Sequence, residues 1–124
     1  MNGLSRKISN SELKIMDVIW EHGDETTFSQ IWKSLDQNTK QATQSLIDRL
    51  VKKGILKQER RDVYYYSPLV SCQEYRTAKT RDLIDISYHG SAKSLVAALL
   101  NENAFSPEDI DELKEYWTSG GESG

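Results

Sequence analysis

Cysteine is nearly absent from this 124-residue chain. The one thiol, Cys72, cannot support an intramolecular disulfide framework and brings no metal-ligand cluster with it, so it reads as a buried or simply tolerated side chain. No run of about 18 apolar residues occurs, so no segment is expected to span a bilayer. Met1 to Lys7 carries two basic residues without an apolar stretch behind them, so no secretory signal is expected and a cytoplasmic location is the default. Histidine is scarce as well. His22 and His89 lie far apart in sequence, neither has metal-ligand spacing, and neither a Gly-rich phosphate loop nor a nucleophile motif occurs. The chain is therefore not expected to be an enzyme, and no catalytic residue, cofactor or metal site is assigned. Glu108, Asp109, Asp111 and Glu112 could pass for a metal cluster, but acids at the start of a helix answer its dipole.

With 37% hydrophobic and 28% charged residues, the composition fits a soluble, helix-rich protein of one small domain plus a helical appendage. A first helix opens at Ser9 as N-cap, with Glu12 completing a capping box and Ile8 placed to staple against Leu13. It stops at Gly23. Thr27 to Gln30 repeats the capping-box pattern and starts a short helix that turns Ile31, Trp32 and Leu35 inward and ends near Asp36. The linker Asp36-Gln37-Asn38 leads to a third helix, Thr39 to Lys53, closed by Gly54. A strand from Ile55 to Glu59, a charged turn at Arg60, Arg61 and Asp62, and a return strand from Val63 to Ser67 then form a wing. Helix, turn, helix and wing together predict a winged helix-turn-helix domain over 1–70.

In the third helix Leu46, Ile47, Leu50 and Val51 share one face. The other carries Gln41, Ser45, Asp48, Arg49 and Lys52. Glutamine and arginine suit base edges; lysine, serine and threonine suit phosphates. Gln41, in the first turn, is the strongest candidate for base reading, with Ser45 one turn on, while Thr39, Lys40, Arg49, Lys52, Arg60 and Arg61 are candidates for phosphate contact. A solvated outer face is the bland alternative. Local charge decides between them: residues 37–61 hold seven cations against two acids, in a chain whose net charge is −3. A basic segment in an acidic protein is the electrostatic footprint of nucleic-acid binding. One of the three wing tyrosines, Tyr64, Tyr65 or Tyr66, is left to donate to a phosphate, and two are expected to pack their rings.

Beyond Pro68 the pattern changes to three helices over 71–118: Ser71 to about Ser87, Ala92 to Asn101, and one opened by Ser106-Pro107 with acids in its first turn. A Gly/Ser tail, 119–124, is expected to fray. Residues 71–124 hold five cations against ten acids, which keeps this end from DNA. Leu95, Leu99, Leu113 and Trp117 exceed what such short helices can bury, so they are assigned to a homodimer interface, with folding back onto the first domain as the alternative.

Ile8-Ser9-Asn10-Ser11-Glu12 with Trp20, then Leu50-Val51-Lys52-Lys53-Gly54, then Tyr64-Tyr65-Tyr66-Ser67-Pro68-Leu69-Val70, and finally Leu95 through Leu113, resemble the BlaI/MecI/CopY family of bacterial repressors. The resemblance covers nearly the whole chain. It implies a winged-helix domain, a helical dimerisation domain, and repression by a homodimer at a palindromic double-stranded DNA operator of antibiotic-resistance or metal-homeostasis genes. An inducer-linked protease or sensor is the further partner it implies. In the antibiotic-resistance branch the recognition helix begins Trp-Ser-Pro-Lys-Thr, and the base-reading lysine and threonine positions correspond here to Gln41 and Ala42. The place matching that branch's cleaved bond is Ala98-Leu99. The copper branch takes up metal through a Cys-rich tail, whereas Gly120 to Gly124 contains no cysteine. The competing reading is a winged-helix protein-interaction module without DNA binding.

Overall fold

The computed structural model describes residues 4–23, 25–36 and 38–119, apart from the side chains of Ser5 and Arg6. Gln37 of the expected linker and the expected tail beyond Ser119 lie outside them. The fold is mainly α with a small three-stranded antiparallel sheet. A short helix that the sequence reading missed, α1 (Leu4–Lys7), precedes α2 (Asn10–His22). The capping box at the start of α2 is present: the Ser9 hydroxyl accepts from the Glu12 amide at 3.2 Å, and the Glu12 carboxylate accepts from the Ser9 amide at 2.9 Å. Gly23, at φ +85°, closes the helix. Thr27 and Gln30 form the second capping box, on α3 (Phe28–Lys33). This helix stops short of Asp36 because Ser34 competes for its last carbonyls, the amide bonding to Ile31 O and the hydroxyl donating to Gln30 O at 3.0 Å.

The third helix, α4 (Lys40–Lys52), begins with Thr39 as N-cap. It ends in a Schellman arrangement: the Gly54 amide bonds to Val51 O at 3.0 Å and the Ile55 amide to Leu50 O at 2.9 Å, with Gly54 at φ +79°. This turn delivers the chain directly into β2 (Leu56–Arg60), which pairs with β3 (Tyr64–Pro68). Each strand starts one residue later than expected, so the turn is Arg61 to Val63, closed by the Arg61 amide on Val63 O at 2.9 Å. A third strand escaped the sequence reading because it is two residues long: β1 (Thr26–Thr27) pairs with the other edge of β3, giving the order β1-β3-β2. The core gathers Ile15, Met16 and Ile19 of α2, Ile31 of α3, Leu46, Ile47 and Leu50 of α4, and Leu56 and Tyr66 of the wing.

Two compact units divide at Arg81. The first extends past the expected boundary at Val70 because α5 (Cys72–Asp82) buries Tyr75 against Trp20, ring centroids 5.8 Å apart, while the Trp20 indole N–H donates to Val70 O at 2.9 Å. The second holds a π-helical turn (Leu83–Ser87), α6 (Ala92–Asn101) and α7 (Pro107–Thr118). None of its described residues is buried.

A Cβ on Gly54 would meet nothing within 4 Å, so replacing it strains only the backbone. Gly54→Ala should lower stability by about 1 kcal/mol, read as a shift of the urea midpoint without a change in slope.

Candidate nucleic-acid interface

The two faces of α4 separate as its periodicity demands. Thr43, Leu46, Ile47 and Leu50 are buried, whereas Lys40, Gln41, Ala42, Ser45, Asp48, Arg49 and Lys52 are exposed. Gln41, Ser45, Arg49 and Lys52 follow one another at helical spacing along a single outer stripe. Thr39 precedes this stripe; its hydroxyl accepts from the Ala42 amide at 3.0 Å as the cap and keeps its proton to donate. Lys40 lies over the Trp32 ring, 4.8 Å from the centroid, and the Trp32 indole N–H donates to Asn38 O at 3.1 Å. The turn between α3 and α4 is thereby pinned on both sides. Gln44 is half-buried and donates to Asp48 at 2.8 Å, and burial pushes the Tyr66 phenol up.

The wing arginines differ from each other. Arg60 lies over the Tyr64 ring at 5.6 Å, with Tyr64 itself exposed. Arg61 is held by three groups at once: both carboxylate oxygens of Glu25, Glu59 at 3.2 Å, and the Tyr65 ring at 4.7 Å. Of the three wing tyrosines, Tyr66 is buried, Tyr65 half-buried and Tyr64 exposed. A groove of about 630 Å³ between the start of α3 and the wing, bordered by Gln44 of α4, is lined also by Phe28, Arg60, Val63 and Tyr64.

Sequence reasoning missed what holds the far end of α4. Glu12 is 1% exposed; its carboxylate accepts from the Ser9 amide and from Lys53 Nζ on both oxygens at 2.7 and 2.9 Å, and it forms an ion pair with Arg49, whose Nε lies 3.4 Å away. Lys53 Nζ also donates to Lys7 O at 2.6 Å, so all three of its protons are accounted for. Glu12 falls in step with Ile8, Ile15, Met16 and Ile19, on the buried stripe of α2, which is the signal that could have found it. Part of the basic count of residues 37–61 is thus neutralised internally, Lys53 by Glu12 and Arg61 by Glu25 and Glu59.

The expected dimer residues lie in the second unit. Leu95 is half-buried, Leu99 and Leu113 are exposed, and Trp117 is 84% exposed.

Residues 8–119 match the family model described as penicillinase repressor. The chain belongs to that family. It is similar to the penicillinase repressor of Bacillus licheniformis, 31% identical over 111 residues and covering 86% of each chain. It is also similar to the methicillin resistance regulatory protein MecI of Staphylococcus aureus (strain N315), 25% identical over 118 residues covering 92% of this chain and 95% of that one. The resemblance read from the residues is therefore correct at family level, and the family is one of regulators rather than enzymes. No helix among the described residues of this family member is long and apolar enough to cross a membrane.

Burial pushes the Glu12 carboxyl up, but the hydrogen bonds from Lys53 and the Ser9 amide and the charges of Lys53 and Arg49 outweigh it, leaving the group below its ordinary value of 4.5. A carboxylate whose folded value is depressed stabilises the fold above its unfolded value, and that contribution is lost as pH falls through the folded one. Stability measured by urea unfolding should therefore decline as pH drops below about 4.5. Glu12→Gln should be less stable at neutral pH and decline less steeply, the two curves converging in acid.

Proposed function

We propose that this chain is a sequence-specific repressor that binds a palindromic double-stranded DNA operator as a homodimer and controls antibiotic-resistance or metal-homeostasis genes in the cytoplasm. The observation that carries this is the outer stripe of α4, in a member of a repressor family: an exposed Gln41, Ala42 and Ser45 flanked by Lys40, Arg49 and Lys52. In this reading Gln41 reads a base edge through an amide that both donates and accepts, with Ala42 and Ser45 beside it in the groove. Thr39, Lys40, Arg49, Lys52 and Arg60 contact phosphates, Thr39 through its hydroxyl proton. Arg61, held by two carboxylates, keeps the wing tip in place and is the weakest of the phosphate candidates. Leu95, Leu99, Leu113 and Trp117 meet their counterparts in a second copy, supported by a second unit that buries none of its own described residues. Relief by an inducer-linked protease would require α6 to unwind, because Ala98-Leu99 lies inside it.

Four cations in each of two subunits correspond to about eight phosphate contacts, so log affinity for duplex should fall against log salt with a slope near about −7. A flat dependence would favour a protein-interaction module instead. Gln41→Ala should relax preference at one symmetric pair of operator positions, by about 1–3 kcal/mol, and leave the slope unchanged. Selection on randomised half-sites at two salt concentrations measures both.

Leu95→Asp or Leu99→Asp should yield monomers by sedimentation, since an uncompensated charge in an apolar interface costs about 3–5 kcal/mol. Operator affinity should then drop roughly 10²-fold or more with the loss of bivalent engagement. A dimer that persists at micromolar concentration places these leucines elsewhere.

A further inference from the structure

We infer that Glu12, on a helix that does not face DNA in the proposed reading, is a positioning residue for operator binding: it holds Arg49 so that the arginine's terminal nitrogens are presented as a preformed phosphate fork. This rests on the reading of α4 as the DNA-contacting helix.

Arg49 pairs with Glu12 through the Nε edge of its guanidinium, as an ion pair rather than a hydrogen bond. Glu12 Oε2 meets Nε, 3.4 Å away, and the arginine side chain remains 58% exposed. Nε–H is one of five guanidinium donors; the other four are on Nη1 and Nη2, the edge that matches two phosphate oxygens. A guanidinium already oriented loses less conformational freedom on meeting a phosphate than one free to sample its rotamers. Glu12 is suited to act as the fixed point. It is buried, it belongs to the capping box of α2, and Lys53 binds both of its oxygens, so it cannot follow Arg49 outward. Lys53, the C-cap of α4, uses its three protons on Glu12 and Lys7 O, which leaves Arg49 as the cation of this triad available to a ligand.

Simple electrostatics and this inference predict opposite signs. Removing a negative charge beside a DNA-binding face should strengthen binding if charge alone matters. If Glu12 positions Arg49, Glu12→Gln should weaken binding to a duplex carrying the selected palindromic half-sites, despite the added net positive charge.

The test is a double-mutant cycle of Glu12→Gln and Arg49→Ala at neutral pH, with dissociation constants measured on that duplex at two salt concentrations. Arg49→Ala should weaken binding about tenfold and lower the salt slope by roughly 1 per subunit. Glu12→Gln should weaken it about fivefold when Arg49 is present and less than twofold when Arg49 is alanine, the interaction appearing as non-additivity. Equal losses in both backgrounds would reduce Glu12 to a general structural role and overturn the inference, as would tighter binding by Glu12→Gln. Arg49→Lys, which keeps Glu12 and the charge but not the fork, covers a Glu12→Gln that fails to fold. It should bind at least about fivefold more weakly, and binding equal to the unaltered protein would overturn the inference. If the unaltered protein shows no salt-dependent duplex binding, the proposed function falls and this inference with it; if it binds and the cycle is additive, only the inference falls.

Discussion

The buried carboxylate of Glu12 is the constraint on which the arrangement of the first unit depends. Desolvating a charge costs several kcal/mol, and only close, geometrically good partners offset it. Here the partners come from three places: the N-cap of its own helix, the last turn of α4 and the C-cap that follows it. The same group therefore closes the start of α2 and anchors the end of α4. Displacing α4 along its axis would leave a charge buried without its cations, so this interaction selects one position of the helix where the apolar contacts of Leu46, Ile47 and Leu50 would tolerate small shifts.

A second set of contacts does for the wing what Glu12 does for the helix. The hairpin of β2 and β3 would be marginal alone, but β3 is the central strand, with β1 on its far edge, and its Tyr66 is among the largest side chains in the core. The tip is tied back by Arg61 to Glu25, in the connection that follows α2. Surface ion pairs of this kind contribute little stability singly. Their effect here is geometric: the wing tip is set relative to the end of α2, while Arg60 is stacked on Tyr64.

Most of the helical framework was legible in the sequence because its signals are local. Ser9, Thr27 and Ser106 each act as the N-cap their context predicts, Thr39, read as the first residue of its helix, proves to be its N-cap, and Gly23 takes the positive φ its position calls for. The outer stripe of α4 followed from periodicity alone. What escaped was non-local. Glu12 was read as half of a capping box, which it is, but its pairing with Lys53 spans 41 residues and that of Arg61 with Glu25 spans 36. No window along the chain contains either pair. The charge count of residues 37–61 consequently overstated the free cations of the patch, since it treated Lys53 and Arg61 like Lys40 and Lys52. The two-residue strand β1 offers too short a pattern for period two to register.

The second unit stands under a different physical rule. Its helices α6 and α7 have 10 and 12 residues, below the length at which isolated helices persist in water. Serine caps at Ser91 and Ser106 contribute about 1 kcal/mol each, which does not replace a core, and this unit buries none of its described side chains. Val96, Leu99 and Leu100 on one helix, and Leu113, Tyr116 and Trp117 on the other, are the apolar area through which order could be gained. If a second copy supplies the matching surface, as proposed, ordering the unit and forming the dimer are one equilibrium, and its stability cannot be separated from protomer concentration. The first unit, with its own core, does not share that dependence. A repressor built this way would lose paired operator reading on dilution before it lost the fold of its DNA-contacting domain.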